Sequence, residues 1–208
     1  MGLFMDAESS SSDEMSSLER NYLARRVEFQ PWLGKSPEQV QRQEEFQRIL
    51  IKYSGAKIGK GCWISPEAEI YASKLEIGDG SWVAGGAILR GNIKIGADST
   101  VNPYAHIAGN VSIGCGVRIA GAVAIYGFNH GFSRIDKPIH YQPHTSAGIS
   151  IGDGTWLGTN SVVVDGINIG AHCVIAAGAV VTKSFGDYLI VGGNPAKVLR
   201  DRREATAT

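Results

Sequence analysis

Along most of the chain an aliphatic residue returns every six positions. Ile77, Val83, Leu89, Ile95, Val101, Ile107, Ile113, Ile119 and Ile125 stand in one unbroken phase. Ile58, Ile64 and Ile70 precede them in an earlier register, and Ile151, Leu157, Val163, Ile169, Ile175 and Val181 follow in a later one. The residue after the aliphatic is often Gly or Ala, as at Gly59, Gly78, Ala84, Gly96 and Gly152. The fourth residue after it is usually small, as at Cys62, Ser81, Ala87, Ser99, Thr155 and Cys173. Six fits neither the 3.6-residue period of a helix nor the two-residue alternation of a half-buried strand. It is the length of one short strand plus one turn. Three such units close a triangular coil, in which each aliphatic points inward and stacks on its copy one coil away, at about 4.8 Å. Small side chains relieve crowding inside the narrow triangle, and Gly permits the corner backbone. The aliphatic positions named above make about six coils. An all-β solenoid is therefore the expected fold. Burial in such a stack is nearest-neighbour, so both ends need caps.

Ahead of the repeat the pattern is helical. Residues 17–30 suit a short helix. Ser36-Pro37-Glu38-Gln39 starts another: Ser can cap, Pro suits the first turn, and Gln39 completes a capping box. Val40, Phe46, Ile49, Leu50 and Tyr53 then recur at helical spacing, and Gly55 ends the run. The expected organisation is a disordered, acidic, Ser-rich segment over 1–16, a helical cap over 17–56 and the solenoid over 57–186. Residues 187–208 then form a tail with a strand and a short capping helix. Glycine usage follows this division, since of 27 glycines only Gly2 and Gly34 precede Gly55. Lys+Arg and Asp+Glu both number 20, so the formal charge is zero and gives no reason to expect nucleic acid or an anionic membrane as partner. No apolar run approaches the roughly 20 residues of a membrane span, and the N-terminus lacks the basic start of a secretory signal. Three scattered Cys make no disulfide framework, so a cytoplasmic protein is expected. Cys62 and Cys173 fall in small inward slots and read as packing residues.

Chemistry is expected where the rhythm fails. The series stops at Ile125 and resumes at Ile151, two residues out of register, with an excursion over 126–150 between. A long excursion from a regular scaffold is usually functional. Asn129 stands where a small inward residue is expected, and His130 follows at the lip of the break. Histidine is the side chain whose ordinary pKa suits a general base near neutral pH.

The repeat resembles the hexapeptide signature of the left-handed parallel β-helix acyltransferases, over residues 58–200. IGCGVRIAGAVAIYGFNH (113–130) is similar to the family stretch that ends in the catalytic His. FSRIDKPIHYQPHTSAGISIGDGTWLG resembles the branch of sugar and polysaccharide O-acetyltransferases. IGDGTWLGTNSVVVDGINIGAHCVIAAGAVVTK and DYLIVGGNPAKVLRDR follow the family's C-terminal pattern, shared with maltose, galactoside and antibiotic-acetylating members. The resemblance implies acetyl transfer from acetyl-CoA to a sugar hydroxyl, with His130 as base, in a homotrimer with sites between subunits and no metal. It implies that Asn102 contacts the acceptor and that the Trp156–Thr159 segment offers a backbone N–H to the oxyanion. Trp156, Gly158, Thr159, Ala177, Thr182 and Lys183 would line the pantetheine path, and Lys197 and Arg200 would meet the coenzyme's phosphates. An antibiotic acetyltransferase is the alternative. The γ-carbonic anhydrases share the β-helix, and SWVAGGAILRGN echoes their Arg-Gly-Asp stretch. However, Asn92 replaces the Asp, and GCGVRIAG lacks the paired His that zinc needs. A catalytically silent scaffold would need neither His130 nor the coenzyme pattern. His140 and His144 lie four apart but in a loop with two prolines, which is not a helical metal spacing. His106 and His172 read as corner residues facing solvent or an interface.

Overall fold

The computed structural model describes residues 16–19, 21–23 and 35–204. The expected disordered segment therefore lies, except for Ser16, outside the described residues. Of the helix expected over 17–30, residues 17–19 and 21–23 are helical. From Lys57 onward the chain forms a parallel β-helix of stacked three-sided coils. One face carries β2 (Trp63–Ile64), β4 (Trp82–Val83), β6 (Thr100–Val101), β8 (Arg118–Ile119), β13 (Trp156–Leu157), β16 (Val174–Ile175) and β18 (Leu189–Gly192), paired in that order. The other two faces share β3 (Glu69–Ile77), β5 (Ile88–Ile95) and β7 (His106–Ile113), which run across a corner without interruption. Shorter strands extend these faces: β1 (Lys57–Ile58) at the start, then β9 (Ala124–Gly127), β12 (Ile149–Ile151), β14 (Val162–Val163), β15 (Asn168–Ile169) and β17 (Val180–Val181).

The repeat aliphatics fill the interior. Val83, Leu89, Val101, Ile107, Ile125, Leu157, Val163, Ile175 and Val181 are fully buried, each worth about 1.5–3 kcal/mol. Ile58 and Ile70 alone among the eighteen are half-buried, because they lie in the first coil under the helical cap. The small inward slots do more than save space. The Ser81 hydroxyl donates to the Gly96 carbonyl and accepts from the Ser99 N–H. The Ser99 hydroxyl repeats this on Gly114 and Val117 one coil on, and Thr155 does so on Gly170 and Cys173. Each hydroxyl thus joins a corner carbonyl to the next coil's N–H. Cys62 and Cys173 occupy the same column, and burial pushes both thiols up, as suits packing residues.

Both phase breaks have a structural cause. The step from Ile70 to Ile77 is one residue long because the β3–β5 register shifts between Ala72 and Lys74. After Ile125, Val111 pairs with Ile149, 38 positions on, whereas Ile93 pairs with Val111 only 18 on. The difference, 20 residues, is what the excursion adds to one coil, and it is two more than three six-residue units.

The N-terminal cap is α1 (Pro37–Ser54), with the Ser36/Gln39 capping box formed and Gly55 closing the helix at φ 65°. Phe46 and Leu50 pack on the core, but Val40, Ile49 and Tyr53 of the expected apolar stripe are exposed. Its buried residue is instead polar. The Gln43 amide donates to the Ile64 carbonyl and accepts from the Ile64 N–H, and Gln47 donates to the Cys62 carbonyl. An open coil end exposes strand groups with no partner, and Gln43 supplies what a further strand would. Gln43→Ala is expected to leave both Ile64 groups unsatisfied and cost about 2–4 kcal/mol. Urea denaturation checks this, and an unchanged midpoint would contradict it.

The other end differs from the sequence expectation of a capping helix. The turn through Gly193, at φ 96°, reverses the chain. Residues Lys197–Asp201 then form β19, antiparallel to β18. An edge strand with unpaired groups is satisfied by a strand and not by a helix. Among the described residues no helix is long and apolar enough to cross a membrane.

Candidate functional site

The corner where β7 and β9 turn is unusually tight. Gly91, Gly109 and Gly127 stack there, and a Cβ on Gly109 would lie 2.5 Å from the Gly127 carbonyl oxygen. In the two lower coils an Asn follows the Gly, and Asn92 donates to Asn110 at 2.8 Å. In the third coil Phe128 follows instead, and the chain leaves the solenoid. It forms the hairpin β10 (Asn129–His130) and β11 (His144–Thr145), with a 3₁₀ turn at Ile139–Tyr141 between. The return is pinned in two places. Ser146 donates to the Gly127 carbonyl and accepts from Asn110. Asp165 accepts from the Ala147 and Gly148 N–H groups. The loop interior is held by buried Gln142, which bonds the Arg134 N–H and the Arg134 and Lys137 carbonyls.

This frame places His130. It pairs in antiparallel register with His144, and the two rings meet edge-on with centroids 4.3 Å apart. Phe128 stands 6.0 Å from His130 and 5.8 Å from His144. His130 is exposed, so the imidazole can reach a ligand. Asn129, expected inward, is exposed, because the chain has already left the coil. Beside the hairpin lies a groove of about 250 Å³, floored by Gly91 and Gly109 and walled by Arg90, Phe128, His144, Thr145 and Ser146.

His106 is not at a corner. It opens β7, half-buried, with Nδ1 2.8 Å from the Tyr126 hydroxyl. Burial, and then the Arg90 charge, push its pKa down. His172 does sit at a corner, at φ 56°, stacked on Tyr188. His140 packs on Tyr141 and does not join His144.

The other expected site residues divide between two corners. Asn102 lies between β6 and β7, Gly158 and Thr159 between β13 and β14, and Ala177 between β16 and β17, all on one corner, with Trp156 just before it. The coils are bonded there through Gly178 N–H to the Thr159 carbonyl and Asn160 N–H to the Gly121 carbonyl. Trp156 is 52% exposed, a large indole left on the surface. It shares one ladder row with Val174, Ile190 and Arg200, so Trp156 and Arg200 mark a path three strands, or about 14 Å, long. Lys197 is on the same end strand. His130, Thr182 and Lys183 belong to the next corner. Within one chain His130 therefore does not meet Asn102, Trp156 or Thr159.

Three backbone donors and one side-chain acceptor at the first corner are informative. The Trp156 and Gly158 N–H groups are committed to the Cys173 and Ile175 carbonyls. The Thr159 N–H donates to no group among the described residues. The Asn102 amide nitrogen is tied to the Ile119 carbonyl at 2.7 Å, which leaves its oxygen as a free acceptor.

Comparison with known proteins agrees with the fold and with acetyl transfer as the reaction class. The family model "hexapeptide repeat of succinyl-transferase" matches residues 148–183. The putative colanic acid biosynthesis acetyltransferase WcaF of Escherichia coli is 31% identical over 172 residues, covering 81% of this chain and 80% of that one. Galactoside O-acetyltransferase of E. coli is 29% identical, covering 79% and 71%. The probable acetyltransferase Rv3034c of Mycobacterium tuberculosis is 32% identical over 157 residues, but this chain spans only 50% of its length. Among solved structures, AntD, an N-acyltransferase from Bacillus cereus in complex with dTDP and coenzyme A, superposes with a TM-score of 0.67 at 23% identity. The match covers 78% of this chain and 90% of AntD, and at that identity it speaks to the fold.

Proposed function

The chain belongs to the hexapeptide-repeat acetyltransferases, and on that premise we propose that it moves an acetyl group from acetyl-CoA to a hydroxyl of a sugar or glycan acceptor. The single observation that carries the reading is His130, exposed on a hairpin pinned by Ser146, Asp165 and Gln142 where the solenoid opens. The acceptor O–H gives its proton to the His130 imidazole as its oxygen attacks the thioester carbonyl. The Thr159 N–H stabilises the oxyanion, and the Asn102 oxygen accepts from and orients the acceptor. Collapse breaks the C–S bond, and the imidazolium returns the proton to the leaving thiolate. Trp156 and Ala177 line the pantetheine arm, with Thr182 and Lys183 closing it from the neighbouring chain, and Lys197 and Arg200 meet the phosphates.

Because the two sets of residues occupy different corners, the reading requires adjacent copies, and a homotrimer with three inter-subunit sites satisfies it. The WcaF and galactoside relatives support a sugar-type acceptor. No covalent acyl-enzyme is needed, since the acceptor oxygen attacks the thioester directly once His130 takes its proton. Incubating the protein with acetyl-CoA and a panel of glycosides should release one thiol per acetyl ester formed. Intact-protein mass should stay unchanged during turnover. An acetylated protein chased by acceptor would overturn direct transfer, and no thiol release with any sugar would overturn the acceptor class.

A further inference from the structure

We propose that Arg90 makes the acceptor groove selective for a sugar that carries an anionic group, a carboxylate or a phosphate, beside the hydroxyl attacked. The inference deepens the acyl-transfer reading and rests on it. Arg90 is exposed on β5 and lines the groove together with Phe128, His144, Thr145 and Ser146. Phe128 and His144 are the two rings that touch His130, so whatever fills this groove lies one ring away from the base. No carboxylate lines the groove. Among the described residues none forms an ion pair with Arg90. On β3, Tyr71 stands opposite Arg90, and its hydroxyl is bonded to Glu69 two residues back.

The guanidinium carbon lies 5.8 Å from the Phe128 ring centroid. The aromatic wall restrains the side chain while leaving its N–H groups without a committed acceptor. A planar fork of donors with no partner among the described residues, in a groove without a carboxylate, matches a carboxylate or phosphate and is wasted on a neutral ring. Thr145 supplies a hydroxyl for the sugar's own hydroxyls, and Phe128 supplies an apolar face.

The test compares methyl glucoside, methyl glucuronide and methyl glucoside 6-phosphate, by thiol release from acetyl-CoA and by calorimetric binding in the presence of coenzyme A. The wild-type protein should prefer one of the two anionic acceptors by about 10- to 100-fold, the usual range for a charge-assisted hydrogen bond. Which of the two it prefers identifies the source of the charge. In Arg90→Gln that preference should collapse through KM, with kcat for the anionic acceptor changed far less. Arg90→Lys should keep part of it, since the charge remains and the fork is lost. Equal or better use of the neutral glucoside by the wild type, failure of both anionic acceptors to bind, or a preference that survives Arg90→Gln would each overturn the assignment. The arms separate the two readings: full turnover in His130→Ala would sink the base assignment, whereas the binding preference is read without turnover.

Discussion

Replacing His130 by Ala should lower kcat by about 10²- to 10⁴-fold, the usual worth of a positioned general base, while the melting transition stays in place. The size follows from the chemistry. A sugar hydroxyl is a poor nucleophile until its proton leaves, and three of the other four imidazoles are engaged elsewhere. His106 is bonded to Tyr126, His140 is packed on Tyr141, and His172 lies at a different corner against Tyr188. His144 is the one imidazole in contact with His130, directly opposite it in the hairpin and edge-on to its ring. The indifference of stability follows from exposure. His130 contributes nothing to the aliphatic interior, and its hairpin is held by the backbone and by Gln142, Ser146 and Asp165. Turnover by thiol release, beside circular dichroism melting of the same samples, checks both halves. Turnover close to wild type in a folded His130→Ala would remove His130 from the chemistry.

The solenoid was legible in the sequence because every coil poses the same packing problem. One aliphatic must fill the triangle and one small residue must fit the corner, so the answer repeats every six residues and survives the one-residue shift after Ala72. The break at Ile125 was legible for the complementary reason, since only a departure from the stack excuses the chain from that rule. Other features answered to geometry that no period carries. Gln43 is a polar residue buried inside an apparently apolar stripe because the first coil needs a strand's hydrogen bonds more than it needs a methyl group. The tail became β19 because β18 had an open edge, although the tail's composition suited a helix. His144 came to face His130 through the register of a two-residue hairpin inside a loop, where neighbouring positions in sequence give no phase to read. A Thr-Ser pair returning to a Gly corner was the available clue to Ser146, but its partner Asn110 lies 36 residues away.

The separation of site residues between corners leads to the second large effect. A variant carrying Asn102→Ala and Trp156→Ala should lose about 10²-fold or more in kcat/KM, since it removes the acceptor's oxygen contact and the exposed indole of the coenzyme path. Both residues sit at the surface of the stack, so the loss is in function more than in folding. Asn102 also ties its corner to Ile119, which costs about 1 kcal/mol and leaves the solenoid standing. His130→Ala and this double variant damage opposite halves of what is proposed to be one site.

Mixing those two inactive proteins within one oligomer tests the central claim most directly, that the catalytic site is assembled from the His130 corner of one chain and the Asn102–Trp156 corner of another. Two differently tagged variants would be unfolded and refolded together in equal amounts, and mixed trimers isolated through both tags. Every mixed trimer then holds one site in three with an intact half from each chain, so activity should return to about a third of wild type in the isolated mixed trimers and about a quarter in the whole refolded pool. Activity that stays at the level of the separate variants, in trimers shown to contain both chains, would contradict the account and place the whole site within one subunit.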